Sequence, residues 1–164
     1  MARSSAKGRR GGDADPIDML KEDHQKVKDL LKQYESAGEN AHKKKQSIAE
    51  KVFTELEVHA SLEEEIFYPA VRESGDEEAG KLVAEAVEEH RVVKTLIDEL
   101  RDLEPEDEQF DAKFKVMAEN VEHHADEEEQ EMFPVAEDAL GDRMEEIGRQ
   151  MQSRKKELMR EQAA

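Results

Sequence analysis

HASLEEEIFYP, residues 59–69, and HADEEEQEMFP, residues 124–134, are one pattern written twice. Each begins with His, carries a Glu four residues later (Glu63, Glu128) and reaches a Pro ten residues after the His (Pro69, Pro134). Two stretches upstream repeat as well. EDHQKVKDLL contains His24 and EEHRVVKTLI contains His90, each with Val three and Lys four residues after the His. The period is 66 residues from His24 to His90 and 65 from His59 to His124, so the chain reads as two copies of one unit.

Both units are helical by their spacing. After Pro16, which suits a first helical turn, Ile17, Leu20, His24, Val27, Leu31 and Tyr34 recur every three or four residues. Gly38 and the run Lys43-Lys44-Lys45 break the pattern, which places His42 on a solvated loop. Ile48, Val52, Leu56, His59, Glu63 and Ile66 form a second face. That helix is expected to end near Tyr68, because Pro69 disfavours helical backbone in the residue before it. A third face holds Leu82 or Val83, Ala86, His90, Val93, Ile97 and Leu100. After Pro105 a fourth holds Phe110, Phe114, Met117, Val121, His124 and Glu128. A weaker helix is expected over about 142–160, with Met144, Ile147, Met151 and Leu158. β-Branched residues are scarce, while Glu, Lys, Ala and Leu favour helix. The expected fold is all-α: an up-down-up-down four-helix bundle with a pseudo-twofold hairpin repeat and a C-terminal helical extension. Residues 1–15 read as a disordered basic tail, 16–135 as the bundle and 136–164 as the extension.

In an antiparallel hairpin, residues equidistant from the turn share a level. His24 and His59 are centred near residue 41, in the first loop, and His90 and His124 on residue 107, beside Pro105. Each pair therefore faces across its own hairpin.

Charge and composition narrow the function. The 164 residues hold 25 Lys and Arg against 43 Asp and Glu, a net −18 with neutral His. Such a surface repels nucleic acid and anionic lipid, so neither is an expected partner. The absence of Cys excludes disulfides, thiolate zinc sites and iron–sulfur clusters. No apolar stretch approaches a membrane span and no apolar region follows the basic start, so a cytoplasmic address is expected. A monomer or weak homodimer is the expected assembly.

Taken singly, an inward His is an ordinary core residue, and a Glu among 43 acids is ordinarily solvated. Taken together, His24, His59, His90 and His124 stand at one level with Glu63 and Glu128 a turn further on. No Lys or Arg shares those faces at that level. Carboxylates enter a core only with a counter-charge, and a metal supplies one. Four imidazoles and two carboxylates exceed what one structural zinc needs. They suit two ions, each with two terminal His, bridged by both Glu, with positions left for an oxo, hydroxo or exogenous ligand. Two iron ions are expected, with manganese or a mixed pair as the alternative. His123 lies about 100° round the helix from His124 and is expected to flank the site. Tyr34 and Tyr68 lie roughly 14 Å along the axis from the ligands and are expected to pack without touching them. Each run Glu63-Glu64-Glu65 and Glu127-Glu128-Glu129 is expected to turn one member inward.

These elements resemble the hemerythrin family in its HHE cation-binding branch. The matching stretches are EDH at His24, HASLEEEIFYP at His59, EEH at His90 and HHADEEEQEMFP at His123–Pro134, spanning 17 to about 135. The resemblance implies a four-helix bundle with a non-heme di-iron centre. It implies that His24 and His59 serve one iron and His90 and His124 the other in some pairing, with Glu63 and Glu128 bridging. The oxygen carriers of the family use five His, with His-x3-His on the third helix. Here Lys94 follows His90 by four residues, and Glu replaces the bridging Asp. Both features resemble the stress-repair and signalling members.

The expected function is to bind or reduce a small ligand, O2, H2O2 or NO, in an oxidative or nitrosative stress setting. A reductive role needs an electron donor that the sequence does not name. The alternative is a non-enzymatic oxygen or iron sensor or store.

Overall fold

The structure, a computed structural model, describes residues 15–163. The basic tail expected over residues 1–15 lies outside them apart from Asp15. Its carboxylate accepts from the Ile17 and Asp18 N–H groups at 2.9 and 3.1 Å. Pro16 then takes the first helical position, where a missing N–H is harmless. α1 runs over Pro16–Ser36, α2 over His42–Leu62, α3 over Tyr68–Glu73 and α4 over Glu77–Arg101. α5 covers Glu108–Glu127, α6 Phe133–Leu140 and α7 Met144–Ala163. Asp76 caps α4 by accepting from Ala79 N–H, and Asp107 caps α5 by accepting from Gln109 N–H. Among the described residues there is no strand, and no helix is long and apolar enough to cross a membrane.

The second helix does not stop near Tyr68. α2 passes through a π turn at Glu63–Phe67 into α3, so one helix covers 42–73. The fourth helix does the same, α5 passing through Glu128–Met132 into α6 and covering 108–140. The N–H groups of Tyr68 and Phe133 close these wide turns onto the carbonyls of Glu63 and Glu128, five residues back. In a regular α-helix the ring of Pro69 or Pro134 would strike the carbonyl four residues earlier. The inserted residue of a π turn relieves that clash, and the helix keeps its course.

The basic run after Gly38 is also not a loop. His42 and Lys43-Lys44-Lys45 form the first turn of α2, where cations oppose the helix dipole. Lys45 is buried, and its ammonium lies 3.3 Å from Asp111 of α5 and 5.5 Å from the Tyr34 ring centre. Tyr34 donates to the same Asp111 at 2.6 Å.

α1 packs along α2 and α4 along α5, which gives the two hairpins. Their interior divides into two apolar clusters. One, towards the interhelical turns, contains Leu31, Val52, Phe53, Leu100, Phe114 and Met117. The other contains Leu20, Leu62, Phe67, Val71, Phe133 and Ala136, and α7 adds Ile147 and Met151 to it. Gly141, at φ +47°, turns the chain from α6 towards α7, a conformation that glycine adopts readily. Burying each large apolar side chain contributes about 1.5–3 kcal/mol. These two plugs hold in place the polar layer that lies between them.

Candidate metal centre

That layer holds all six candidate ligands: His24 on α1, His59 on α2, His90 on α4, His124 on α5, and Glu63 and Glu128 at the starts of the π turns. All six are buried, and Glu63 is fully so. The ring centres of His24 and His59 lie 4.8 Å apart, and those of His90 and His124 4.9 Å apart, so each hairpin does set its two His at one height. Donor atoms converge in two groups, His24 with His59 and Glu128, and Glu63 with His90 and His124. Within each group they lie within 4.8 Å of one another.

The carboxylates lie between the halves. Glu63 Oε1 is 3.0 Å from His59 Nε2 and 3.2 Å from His90 Nε2. Glu128 Oε1 is 3.2 Å from His24 Nε2, and its Oε2 is 3.4 Å from His124 Nε2. Yet the Nε2 atoms of His24, His59 and His124, both oxygens of Glu63 and Oε1 of Glu128 are buried with no hydrogen bond of good geometry. Orphaned polar atoms of this kind are costly in a core. A pair of cations among them would satisfy every one, and the donor set of imidazole and carboxylate suits iron or manganese.

The imidazoles are held from behind. His59 Nδ1 donates to Asp23 at 3.0 Å and His124 Nδ1 to Glu89 at 3.0 Å. His24 Nδ1 donates to Glu129 at 3.0 Å and His90 Nδ1 to Glu64 at 3.1 Å. A carboxylate on each Nδ1–H fixes the tautomer and turns the Nε2 lone pair to the centre. The arrangement obeys the pseudo-twofold. Helix one supplies an acid to the His of helix two, and helix three to that of helix four. Helix two supplies one to helix three, and helix four to helix one.

These four acids escaped the reading of the sequence, although a signal existed. In both halves an acid precedes the first His (Asp23, Glu89) and follows the Glu (Glu64, Glu129). Each acidic run thus has two members engaged with the site, not one. A cation was missed too. Lys155 of α7 reaches Asp23 at 2.7 Å, because the C-terminal helix lies against α1 and α2.

Tyr68 requires a larger correction. Its hydroxyl donates to Glu128 Oε2 at 2.5 Å and lies 3.4 Å from His90 Nε2. The axial separation from His59 misled, because Tyr68 stands only five residues beyond Glu63. In an α-helix that step turns the side chain about 140° away. The π turn, closing five residues back, returns it to the face of Glu63. His123 remains outside, with its side chain 68% exposed, while its neighbour His124 faces inward.

Burial pushes the His59 imidazole down, but the Glu63 and Asp23 carboxylates prevail and hold its pKa well above the usual value. His124, opposed by burial but held by Glu128 and Glu89, is raised to about 10. Burial pushes Glu63 up, yet the surrounding imidazoles hold it well below the carboxylate range. Without an ion, protons on His59 and His124 therefore supply counter-charge.

An apolar cavity of about 50 Å³ lies against the four His, with neither Glu63 nor Glu128 in its lining, walled chiefly by Val27, Leu56, Val93, Ile97 and Val121. Lys94 stands at its rim. It is half exposed, and its ammonium lies 3.3 Å from Glu64, so it supplies no donor to the centre.

Residues 15–136 match the family described as Hemerythrin HHE cation binding domain. Over 119 residues the chain is 28% identical to a DNA nickase of Nostoc sp. (strain PCC 7120), a match covering 71% of this chain and 32% of that protein. The chain thus spans about a third of that relative's length. The fold is similar to the crystal structure of a hemerythrin HHE cation-binding domain-containing protein from Mycobacterium kansasii. The TM-score is 0.75 at 27% identity, covering 88% of this chain and 86% of that one.

Proposed function

The chain belongs to the hemerythrin HHE cation-binding family, and on that premise we propose that it is a non-heme di-iron protein that binds or reduces O2, H2O2 or NO under oxidative or nitrosative stress. The orphaned donor atoms carry this reading. Four Nε2 lone pairs and two buried carboxylates converge from both hairpins, and all four Nδ1–H groups are already engaged. His24, His59 and Glu128 would hold one iron, and His90, His124 and Glu63 the other, each carboxylate also reaching an imidazole of the opposite group. Iron held there would supply Lewis acidity and electrons to a small bound ligand.

The chain's own residues set which ligand that is. The cavity admits a diatomic or a peroxide and little more, and its aliphatic wall disfavours ions. Lys94 leaves a ligand position free, because an ammonium has no lone pair. Tyr68 holds Glu128 in place through its hydroxyl and closes the opposite face of the centre. Iron analysis of protein purified aerobically from iron-replete cells tests the reading, with about two iron per chain expected from the two donor groups. One zinc and no iron would overturn it. Peroxide consumption would favour an enzyme. Reversible O2 binding without turnover would favour the sensor or store.

The nickase activity named for the Nostoc relative belongs to a protein of which this chain spans 32%. The −18 charge opposes binding to a phosphate backbone.

A further inference from the structure

A second group of metal-type donors lies on the surface outside the centre. Glu89 of α4 and His123 and Glu127 of α5 bring one donor atom each within 4.8 Å of one another. His123 Nε2 is 3.4 Å from Glu127 Oε2, and all three side chains are accessible. None belongs to the six-donor set, but Glu89 touches it, since its Oε1 accepts from His124 Nδ1 at 3.0 Å.

Glu89 and Glu127 border a narrow crevice that leads inward, and His123 stands outside it beside Glu127. Glu85, Glu89, Glu127 and Glu131 line it with no Lys or Arg among its walls, and His124 and Glu128 lie at its floor. Glu128 is 2% exposed, and its Oε1 has no hydrogen-bond partner, nor has His124 Nε2. The crevice thus joins two of the outer carboxylates, Glu89 and Glu127, to buried, unpartnered ligands of the centre. The apolar cavity shares Glu89 and His124 with the crevice, but the surface it exposes is almost wholly aliphatic, a poor path for a hydrated ion.

We propose that Glu89, His123 and Glu127 form an outer site that captures a divalent transition-metal ion and passes it along the Glu89–Glu128 crevice into the buried centre. One imidazole and two carboxylates, completed by water, suit Fe2+, Mn2+ or Co2+. The ion exchanges water for carboxylate oxygen at each step, and no redox change is involved. Cations then enter by the acidic crevice and small neutral ligands by the apolar cavity. This rests on the metal-centre reading above.

The test uses Co2+ as probe on the metal-free full chain. Co2+ absorption followed by stopped flow reads loading, and equilibrium dialysis reads stoichiometry. Wild type is expected to bind two Co2+ that resist brief chelation and a third that is weaker. His123→Ala with Glu127→Gln should remove the weak ion, keep the two tight ones and slow loading about tenfold, since focused charge accelerates capture by at least that factor. Glu39→Gln, the same charge change at a distant turn, should load at the wild-type rate. An unchanged loading rate in the double variant, or survival of the third ion, would overturn the proposal. So would equal slowing in Glu39→Gln, which would make overall charge the cause. Failure of the metal centre reads differently, because wild type itself would then hold no chelation-resistant Co2+, and relay and centre would fall together.

Discussion

Tyr68 and Phe133 occupy the same place in the two halves of the bundle and differ by one hydroxyl. Each closes a π turn onto the carbonyl of a buried Glu, and each stacks on a His of another helix, Tyr68 on His90 and Phe133 on His24. Only Tyr68 adds a hydrogen bond, to Glu128. The centre is therefore asymmetric in a chain that is otherwise a repeat.

Removing that hydroxyl tests its weight. Tyr68→Phe leaves Glu128 Oε2 without its donor, so iron-free protein should lose about 1–3 kcal/mol, as for a buried carboxylate deprived of a partner. Urea unfolding of chelated wild type and variant measures it, and equal midpoints would show that the bond contributes nothing.

The carboxylates of the layer should separate into two grades. Glu63→Ala and Glu128→Ala remove donors that touch imidazoles of both hairpins, and each should lower iron per chain. Glu64→Ala and Glu129→Ala remove only the acceptors behind His90 and His24, and should weaken affinity by about 10–100-fold while saturating iron still restores the full count. Competition against a chelator of known affinity distinguishes them. The reverse ranking would mean that the ligands have been misassigned.

Iron-free and iron-loaded protein should respond oppositely to pH. The His59 pKa is raised well above its ordinary value and the His124 pKa to about 10. A raised group contributes stability that is complete below its unfolded value, near 6.5, and lost as pH climbs through the folded one. Iron-free protein should therefore melt at progressively lower temperature between about pH 6.5 and 10. Glu63, held low, contributes throughout that interval and fails only in acid. Iron needs the same imidazoles deprotonated, so its stabilisation grows with pH. Melting scans should show the gap between loaded and chelated protein widening from pH 6 to pH 9. A constant gap would contradict this assignment of protons.

Lys94 lies one helical turn beyond His90, at the rim of the cavity. Lys94→His places an imidazole where the wild type has no donor, and should slow oxidation of the reduced protein by H2O2 about tenfold or more, roughly 1.4 kcal/mol of barrier. Lys94→Met, which adds no imidazole, should retain the wild-type rate. Stopped-flow mixing of reduced protein with peroxide gives both values, and no difference between the variants would remove the open position from the account.

α7 contributes in two separable ways. Met151 is fully buried in the apolar cluster, so Met151→Ala should cost about 2–5 kcal/mol, read by denaturant unfolding. Lys155 is partly exposed and reaches Asp23, so Lys155→Ala should change stability little and instead weaken iron affinity, since Asp23 orients His59. If Lys155→Ala destabilises the fold as Met151→Ala does, the contact is structural alone.

The repeat made the bundle legible in the sequence. His-x3-Glu and the 66- and 65-residue periods identify the hairpins, and equal distances from residues 41 and 107 set the four His at one level. Those inferences rest on helical periodicity and on the antiparallel register of neighbouring helices, which are properties of the chain itself. They also name the six inward residues, because a Glu on a buried face stands out against the heptad-like apolar pattern.

What crosses between helices belonged to the tertiary structure. Asp23, Glu64, Glu89 and Glu129 look like surface acids until a facing helix brings an Nδ1–H to each, and Lys155 reaches Asp23 from 132 residues away. The π turns decided the rest. Sequence rules read Pro69 and Pro134 as stops, because they weigh each residue against a regular α-helix. Packing on both sides of the polar layer kept the helices running, and the extra residue was absorbed at Glu63 and Glu128. That local widening turned Tyr68 back into the centre, a rotation fixed by backbone hydrogen bonding and invisible in side-chain spacing.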